Sequence, residues 1–320
     1  MNILIVGGAG FVGNNLVRRC ILDPKNKITV VDSLEPKLKS DIKNLNEVIK
    51  SIKFIKGDMR SRALMRLVVK GQDVIINCAA QTSHPLSMAN PIFDVKINCI
   101  GNLVLLEAIR KYNKKAKVIY LSTSTIVGKA FSQVINEKHQ ENPIDIYSAN
   151  KGVAEKYYSI YHKSFGLNTL SLRFANLYGP YGKDFPEFGF INYFIWLAKN
   201  NKKITIYGRG TQKRNVMYVE DAVELLYECM NRSDLFTGNE YFAVHKEHYS
   251  VLDIAKEIIS VFEKGKIAKV KWPGMRKEIE IRTVAISGSK LYKKISWRPK
   301  YTFHQGLEKT KETLKRMELN

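Results

Sequence analysis

The sequence predicts an α/β protein: a doubly wound parallel sheet followed by a smaller α/β part. Three observations predict it. Short apolar runs alternate with helical patterns through the first half of the chain. The runs are continuously apolar, as strands buried on both faces are. A glycine-rich turn joins the first run to the first helical pattern.

The elements read in order. "NILIVG" is a strand and "GNNLVRRCIL" a helix. "KITVVD", "SIKFIKGD" and "DVIINCAA" are strands, and a long helix runs through "NCIGNLVLLEAIRKY". "KVIYLST" is a strand, the helix of Tyr147–Phe165 follows, and "TLSLRFAN" is a further strand. After "NLYGPYG" aromatics become frequent and strands irregular, while "KITIYG" with "VEDAVELLYECM" reads as a return to the large sheet. Residues 1–175 with about 204–240 therefore read as a cofactor domain. Residues of about 176–203 and 241–320 read as a substrate domain.

Composition narrows the function classes. Of 320 residues, 45% are hydrophobic and 10% aromatic, as in an ordinary globular protein with a real core. No apolar run approaches the ~18 residues of a membrane span. The start lacks a basic signal-peptide region, so a cytoplasmic protein with no membrane partner is expected. Four scattered cysteines, Cys20, Cys78, Cys99 and Cys229, lack zinc spacing and read as reduced thiols, with no metal site. A formal charge of +22 suits anionic partners, but the lysines are spread along the chain. They read as solvated surface and helix C-termini. Nucleic acid is not expected, since no recognition motif accompanies the charge.

Two motifs carry chemistry. "VGGAGFVG" places Gly7, Gly10 and Gly13 between strand and helix, with Phe11 and Val12 inside the turn. Glycines permit a tight turn and close approach of a pyrophosphate to the helix N-terminus. Asp32 ends the second strand nineteen residues after Gly13 and suits the ribose hydroxyls of NAD, not a 2′-phosphate. Asp58, followed by Met59 in "KGDMR", is placed to meet adenine. In "IDIYSANKGVAEKYY", Tyr147 and Lys151 stand four apart and share one helical face. A free phenol has a pKa of about 10. A nearby ammonium favours the phenolate, which can act as a base.

Together with "NCAAQTSH", "INCIGNLVLLEA", "LSTSTIVG", "YSANK", "RFANLYGP", "RNVMYVEDAVE" and "SWRPKYTFHQGLEKT", these motifs resemble the extended short-chain dehydrogenase/reductases that act on nucleotide sugars. The resemblance covers essentially the full chain and implies a Rossmann-type sheet with bound NAD. It implies Tyr147 as acid/base, Lys151 as its activator and a holder of the nicotinamide ribose, and Thr123 on the reacting oxygen. Ser122 and Ser124 are alternates to Thr123, and Ser124 also touches substrate. Ala79, Ala80 and Gln81 pass near the cofactor, and Asn98 supports the catalytic helix and the cofactor site. Asn176 and Arg214 are implied on the substrate diphosphate, with Arg282 or Arg276 as a second cation. Phe190 and Tyr207 are candidates to wall the base.

The family's dehydratases place an acidic pair just after the threonine. Here Ser124 and Thr125 stand there. The resemblance therefore implies an epimerase acting at C4 of a nucleotide-diphosphate sugar. A dehydratase or reductase of the same family is the alternative, and a non-catalytic dinucleotide-binding protein the alternative from another class. Family members pair as homodimers through the helices containing "NLVLLEAIRKY" and "VAEKYYSIYHKSF", and Tyr157, Tyr158, Tyr161 and Phe165 are expected on that surface.

Overall fold

In the computed structural model, residues 1–272 and 285–319 are described. Seven parallel strands form the main sheet. In chain order they are β1 (Asn2–Val6), β2 (Lys27–Asp32), β3 (Lys53–Lys56), β4 (Val74–Asn77), β5 (Lys117–Thr123), β7 (Asn168–Phe174) and β11 (Glu240–Ala243), and across the sheet they run β11-β7-β5-β4-β1-β2-β3. The order reverses between β1 and β4, and ligands bind at the carboxyl ends of strands at such a point.

The alternation of buried side chains explains why both faces need helices. Ile3 and Ile5 of β1 enter one core with Leu16 and Val17 of α1 (Phe11–Cys20) and Leu225 of α8 (Val219–Met230). Leu4 and Val6 enter the other core. There they meet Met65 of α2 (Arg62–Val68), Leu105 of α5 (Asn102–Tyr112) and Tyr158 of α6 (Ile146–Phe165).

The long helix predicted through Asn98–Tyr112 is present, and its first turn is π-helical. Helix α3 (His84–Ala89) and α4 (Pro91–Val95) lead into a π-helical stretch, Lys96–Gly101, before α5. Helix α6 starts sharply because the Asp145 carboxylate accepts from the Ser148 amide at 2.7 Å, and it stops at Gly166, whose φ of 69° suits glycine.

Three small sheets accompany the main sheet among the described residues. Strand β10 (Lys213–Tyr218) pairs in parallel with β8 (Asn176–Tyr178) and antiparallel with β12 (His248–Ser250). Strand β9 (Lys203–Tyr207) pairs with β13 (Lys266–Val270), and β6 (Val134–Ile135) pairs with β14 (Ala285–Ile286). The "KITIYG" strand thus lies outside the large sheet. The seventh place is taken by β11, which the sequence pattern missed. The remaining helices among the described residues are α7 (Phe190–Lys199), α9 (Val251–Phe262), α10 (Ser289–Tyr292) and α11 (Phe303–Leu319).

Candidate active site

A cavity of about 320 Å³ opens at the carboxyl ends of β1, β2, β4 and β5. The glycine turn forms one wall: Gly7, Gly10, Phe11, Val12 and Gly13 all line it. Gly7 adopts φ of 81°, and a Cβ there would lie 2.6 Å from the Ala79 amide nitrogen. A Cβ on Gly13 would lie 2.2 Å from the Gly7 carbonyl oxygen. No side chain caps α1, so its first-turn N–H groups remain available to an anion.

Asp32 lines the same wall and is already bonded within the chain. Its carboxylate accepts from the Ala9 and Leu34 amides at 2.9 Å each and from the Ser40 hydroxyl at 3.1 Å. It therefore staples the glycine turn to β2. Asp58, Met59, Ala79 and Ala80 line the wall too. Arg60 forks onto Asp58 at 2.6 to 3.0 Å. Burial raises the Asp58 carboxyl, but the Arg60 hydrogen bonds outweigh it and the pKa falls below the ordinary value.

Across the cavity stand Thr123, Ser124, Tyr147 and Lys151. Thr123 ends β5, where its Oγ1 lies 3.1 Å from Thr125 Oγ1 and accepts from the Thr125 amide at 3.2 Å. Tyr147 lies in the first turn of α6 and Lys151 one turn later. The Lys151 ammonium donates to the Leu121 carbonyl at 2.5 Å and sits 4.2 Å from the Tyr120 ring centre.

The electrostatics differ from those expected of the phenolate. Burial raises the Tyr147 phenol well above its ordinary value, against a hydrogen bond with Thr123. Burial lowers the Lys151 ammonium to about 7. Without a ligand, desolvation disfavours the charged form of both groups, and positive charge entering the cavity favours the phenolate.

Two neighbours were quoted in motifs but given no role or only an alternate one. His84 packs edge-on against Tyr147, with ring centres 4.8 Å apart, and its Nδ1 lies 2.6 Å from Asp145 Oδ2. Ser122 lines the cavity with its buried Oγ bonded to nothing among the described residues.

Asn176 and Phe190 line the cavity from the substrate side; the Asn176 amide donates to the Asn215 carbonyl at 2.9 Å. Other expected residues do not reach it. Gln81 and Asn98 lie behind the wall in a buried network. The Gln81 amide donates to Asp94 at 2.6 Å, and Asn98 donates to the Gln81 carbonyl and to Asp94. Spacing along β4 cannot separate a wall residue from one turned behind it. Tyr207 packs on Trp272 and does not line the cavity. Arg214 lies on β10, where it donates to the Lys213 carbonyl, and is also off the wall. Asn215, which stands where the family carries an acidic residue, donates to the His245 and Glu247 carbonyls and is buried. Arg276 and Arg282 lie outside the described residues.

The comparisons with known proteins place the chain in a family. Residues 3–244 match the model of the NAD dependent epimerase/dehydratase family. The chain belongs to that family. A trifunctional UDP-glucose 4,6-dehydratase/UDP-4-keto-6-deoxy-D-glucose 3,5-epimerase/UDP-4-keto-L-rhamnose-reductase of Arabidopsis thaliana is 34% identical over 97% of this chain. The match covers 46% of the plant protein, so the chain spans about half the length of that relative. A dTDP-glucose 4,6-dehydratase of Bacillus anthracis, solved with NAD, superposes with a TM-score of 0.86 at 28% identity, covering 100% of this chain and 98% of its own. A UDP-glucose 4-epimerase of Thermus thermophilus, also solved with NAD, gives 0.85 at 26% identity, covering 98% and 99%. Members of the NAD dependent epimerase/dehydratase family use NAD, and the cavity fits it. Gly7 and Gly13 leave no room for a Cβ, and among the described residues no side chain caps the helix start and nothing bonds the Ser122 hydroxyl.

Proposed function

We propose that the protein is a nucleotide-sugar epimerase acting at C4 through a transient 4-keto sugar. The observation that carries this reading is the meeting of Thr123, Tyr147 and Lys151 with the glycine turn in one cavity, next to Ser124 and Thr125, which are not acids. Thr125 Oγ1 is engaged by the Ser148 hydroxyl at 2.9 Å and serves as scaffold. Loss of water from a 4-keto sugar needs a base for the proton at C5 and an acid for the departing hydroxyl at C6, and those two hydroxyls do not supply the pair.

In this reading the glycine turn and the start of α1 hold the diphosphate of NAD, while Asp32 and Asp58 hold the adenosine end. Bound NAD supplies reversible hydride acceptance. Tyr147 Oη takes the proton from the sugar hydroxyl and later returns it. Thr123 steadies the reacting oxygen. The Lys151 ammonium stabilises the phenolate. Asn176 and Phe190 hold the nucleotide-sugar, whose ketone is presented by its other face before reduction. Residues 1–175 with α8 and β11 serve the cofactor, and the segments outside the large sheet, β9 among them, serve the sugar nucleotide.

A same-family 4,6-dehydratase is the second reading, favoured by the plant and Bacillus anthracis relatives. Incubation with UDP-, GDP-, dTDP- and CDP-sugars, followed by NMR, tests the choice. Epimerisation gives a new isomer from one of them without added NAD. Loss of water from the sugar would replace this reading by the second.

A homodimer belongs to the same proposal. Tyr158 and Tyr161 are core residues, because their hydroxyls bond Asn102 and Glu107 inside the chain. The exposed apolar stripe consists instead of Ile100, Val153, Ile160 and Phe165.

A further inference from the structure

A diphosphate ligand needs a cation, and the arginine expected from the sequence, Arg214, does not line the cavity. Among the described residues four basic side chains do: Arg60, His84, Lys151 and Lys183. Arg60 is committed to Asp58, His84 to Asp145, and Lys151 to the Leu121 carbonyl. Lys183 has no hydrogen bond or ion pair among the described residues; its ammonium rests 4.2 Å from the Phe188 ring centre. A second cavity of about 620 Å³ lies on the other side of it, against Trp196 and Leu314, and Phe11 and Lys183 line both. Lys183 thus shares a wall with the first residue of α1.

We propose that Lys183 is a diphosphate-binding residue, an ammonium held on the cavity wall to complete, with the N-terminus of α1, a cradle for the phosphates of a bound nucleotide. The inference rests on the site proposed above and deepens it. Burial lowers the Lys183 ammonium to about 8, against the attraction of Asp32. A group in that condition gains when a phosphate replaces lost water. The position carries no motif, so it was invisible among the 52 lysines and arginines of the chain. Its partner is the diphosphate of the dinucleotide or that of the sugar nucleotide, which share this chemistry.

Calorimetric titration of Lys183→Met and Lys183→Arg with NAD, UDP, dTDP and adenosine separates the sources. Hydrogen bonds to charged groups set the expected loss at about ten- to hundredfold in Kd for Lys183→Met. Weakening of NAD alone assigns Lys183 to the cofactor, and weakening of UDP or dTDP alone to the substrate. Weakening of both assigns it to both. In every case Lys183→Arg keeps most of the affinity and adenosine binds equally to all forms. Lys183→Met with every Kd within twofold of wild type overturns the proposal, as does an equal loss for adenosine. Wild-type protein that binds none of the phosphorylated probes overturns the site reading itself. Lys199→Met, which removes a neighbour ion-paired to Glu318, is the control that leaves affinities unchanged.

Discussion

At the residue scale, the active-site pair is set by burial as much as by spacing. Tyr147→Phe removes only the phenolic oxygen. Turnover should fall by ~10²–10⁴-fold with NAD affinity nearly kept, as read by kcat and calorimetry. Lys151→Met should lose both, and Thr123→Val should be intermediate because Ser122 and Ser124 flank it. The Lys151 ammonium also makes stability depend on pH. Its folded pKa of about 7 lies below its ordinary 10.5. Between those values the unfolded chain binds the proton and the folded one does not, so this group's contribution to stability rises with pH across that window. Below about pH 7 the full cost of burying the ammonium is present. The urea midpoint of the ligand-free wild type should therefore climb relative to that of Lys151→Met from pH 7 to 9. A constant difference would mean that Lys151 is solvated. Helical spacing puts Tyr147 and Lys151 on one face, but the roles given to them and to Thr123 came from the family resemblance of their motifs and not from spacing. Lys183 and the turned-away Gln81 were not legible, since no periodicity encodes which side of a loop faces a cavity.

At the element scale, two devices hold the site. One is the glycine turn. A Cβ at Gly13 meets backbone at 2.2 Å, so Gly13→Ala should displace the start of α1 and weaken NAD binding at least tenfold by calorimetry. The other joins β7 to α6. The Arg173 guanidinium donates to Glu155 at 3.0 Å and to Glu141 at 3.0 Å, and both Arg173 and Glu155 are buried. Arg173→Met strands the Glu155 carboxylate and should cost about 3–5 kcal/mol in urea unfolding. Strands β1, β2, β3, β4, β5 and β7 were readable as short runs bounded by turns. Strand β11 was not. Its edge position is completed by Glu137, far away in sequence, whose carboxylate accepts from the Phe242 amide at 2.8 Å. The misplaced β9 shows the same limit: its alternating pattern specifies a strand but not its neighbour, and β13 supplies one from sixty residues on.

At the scale of the whole molecule, the parallel sheet fixes where chemistry happens, and the exposed stripe bears on assembly. Ile160 is 50% exposed on α6, so Ile160→Glu should convert a dimer to a monomer in light scattering. A wild-type monomer at micromolar concentration would refute the pairing. The central claim concerns the fate of the hydrogen at C4. An epimerase of this design takes that hydrogen from the sugar and gives it back inside one closed cavity, without exchange with solvent. The most direct measurement is therefore mass spectrometry and NMR of the sugar product formed in heavy water. The account predicts an isomer of unchanged mass with no deuterium on carbon. A product lighter by one water, or carrying deuterium at a ring or methyl carbon, would contradict it.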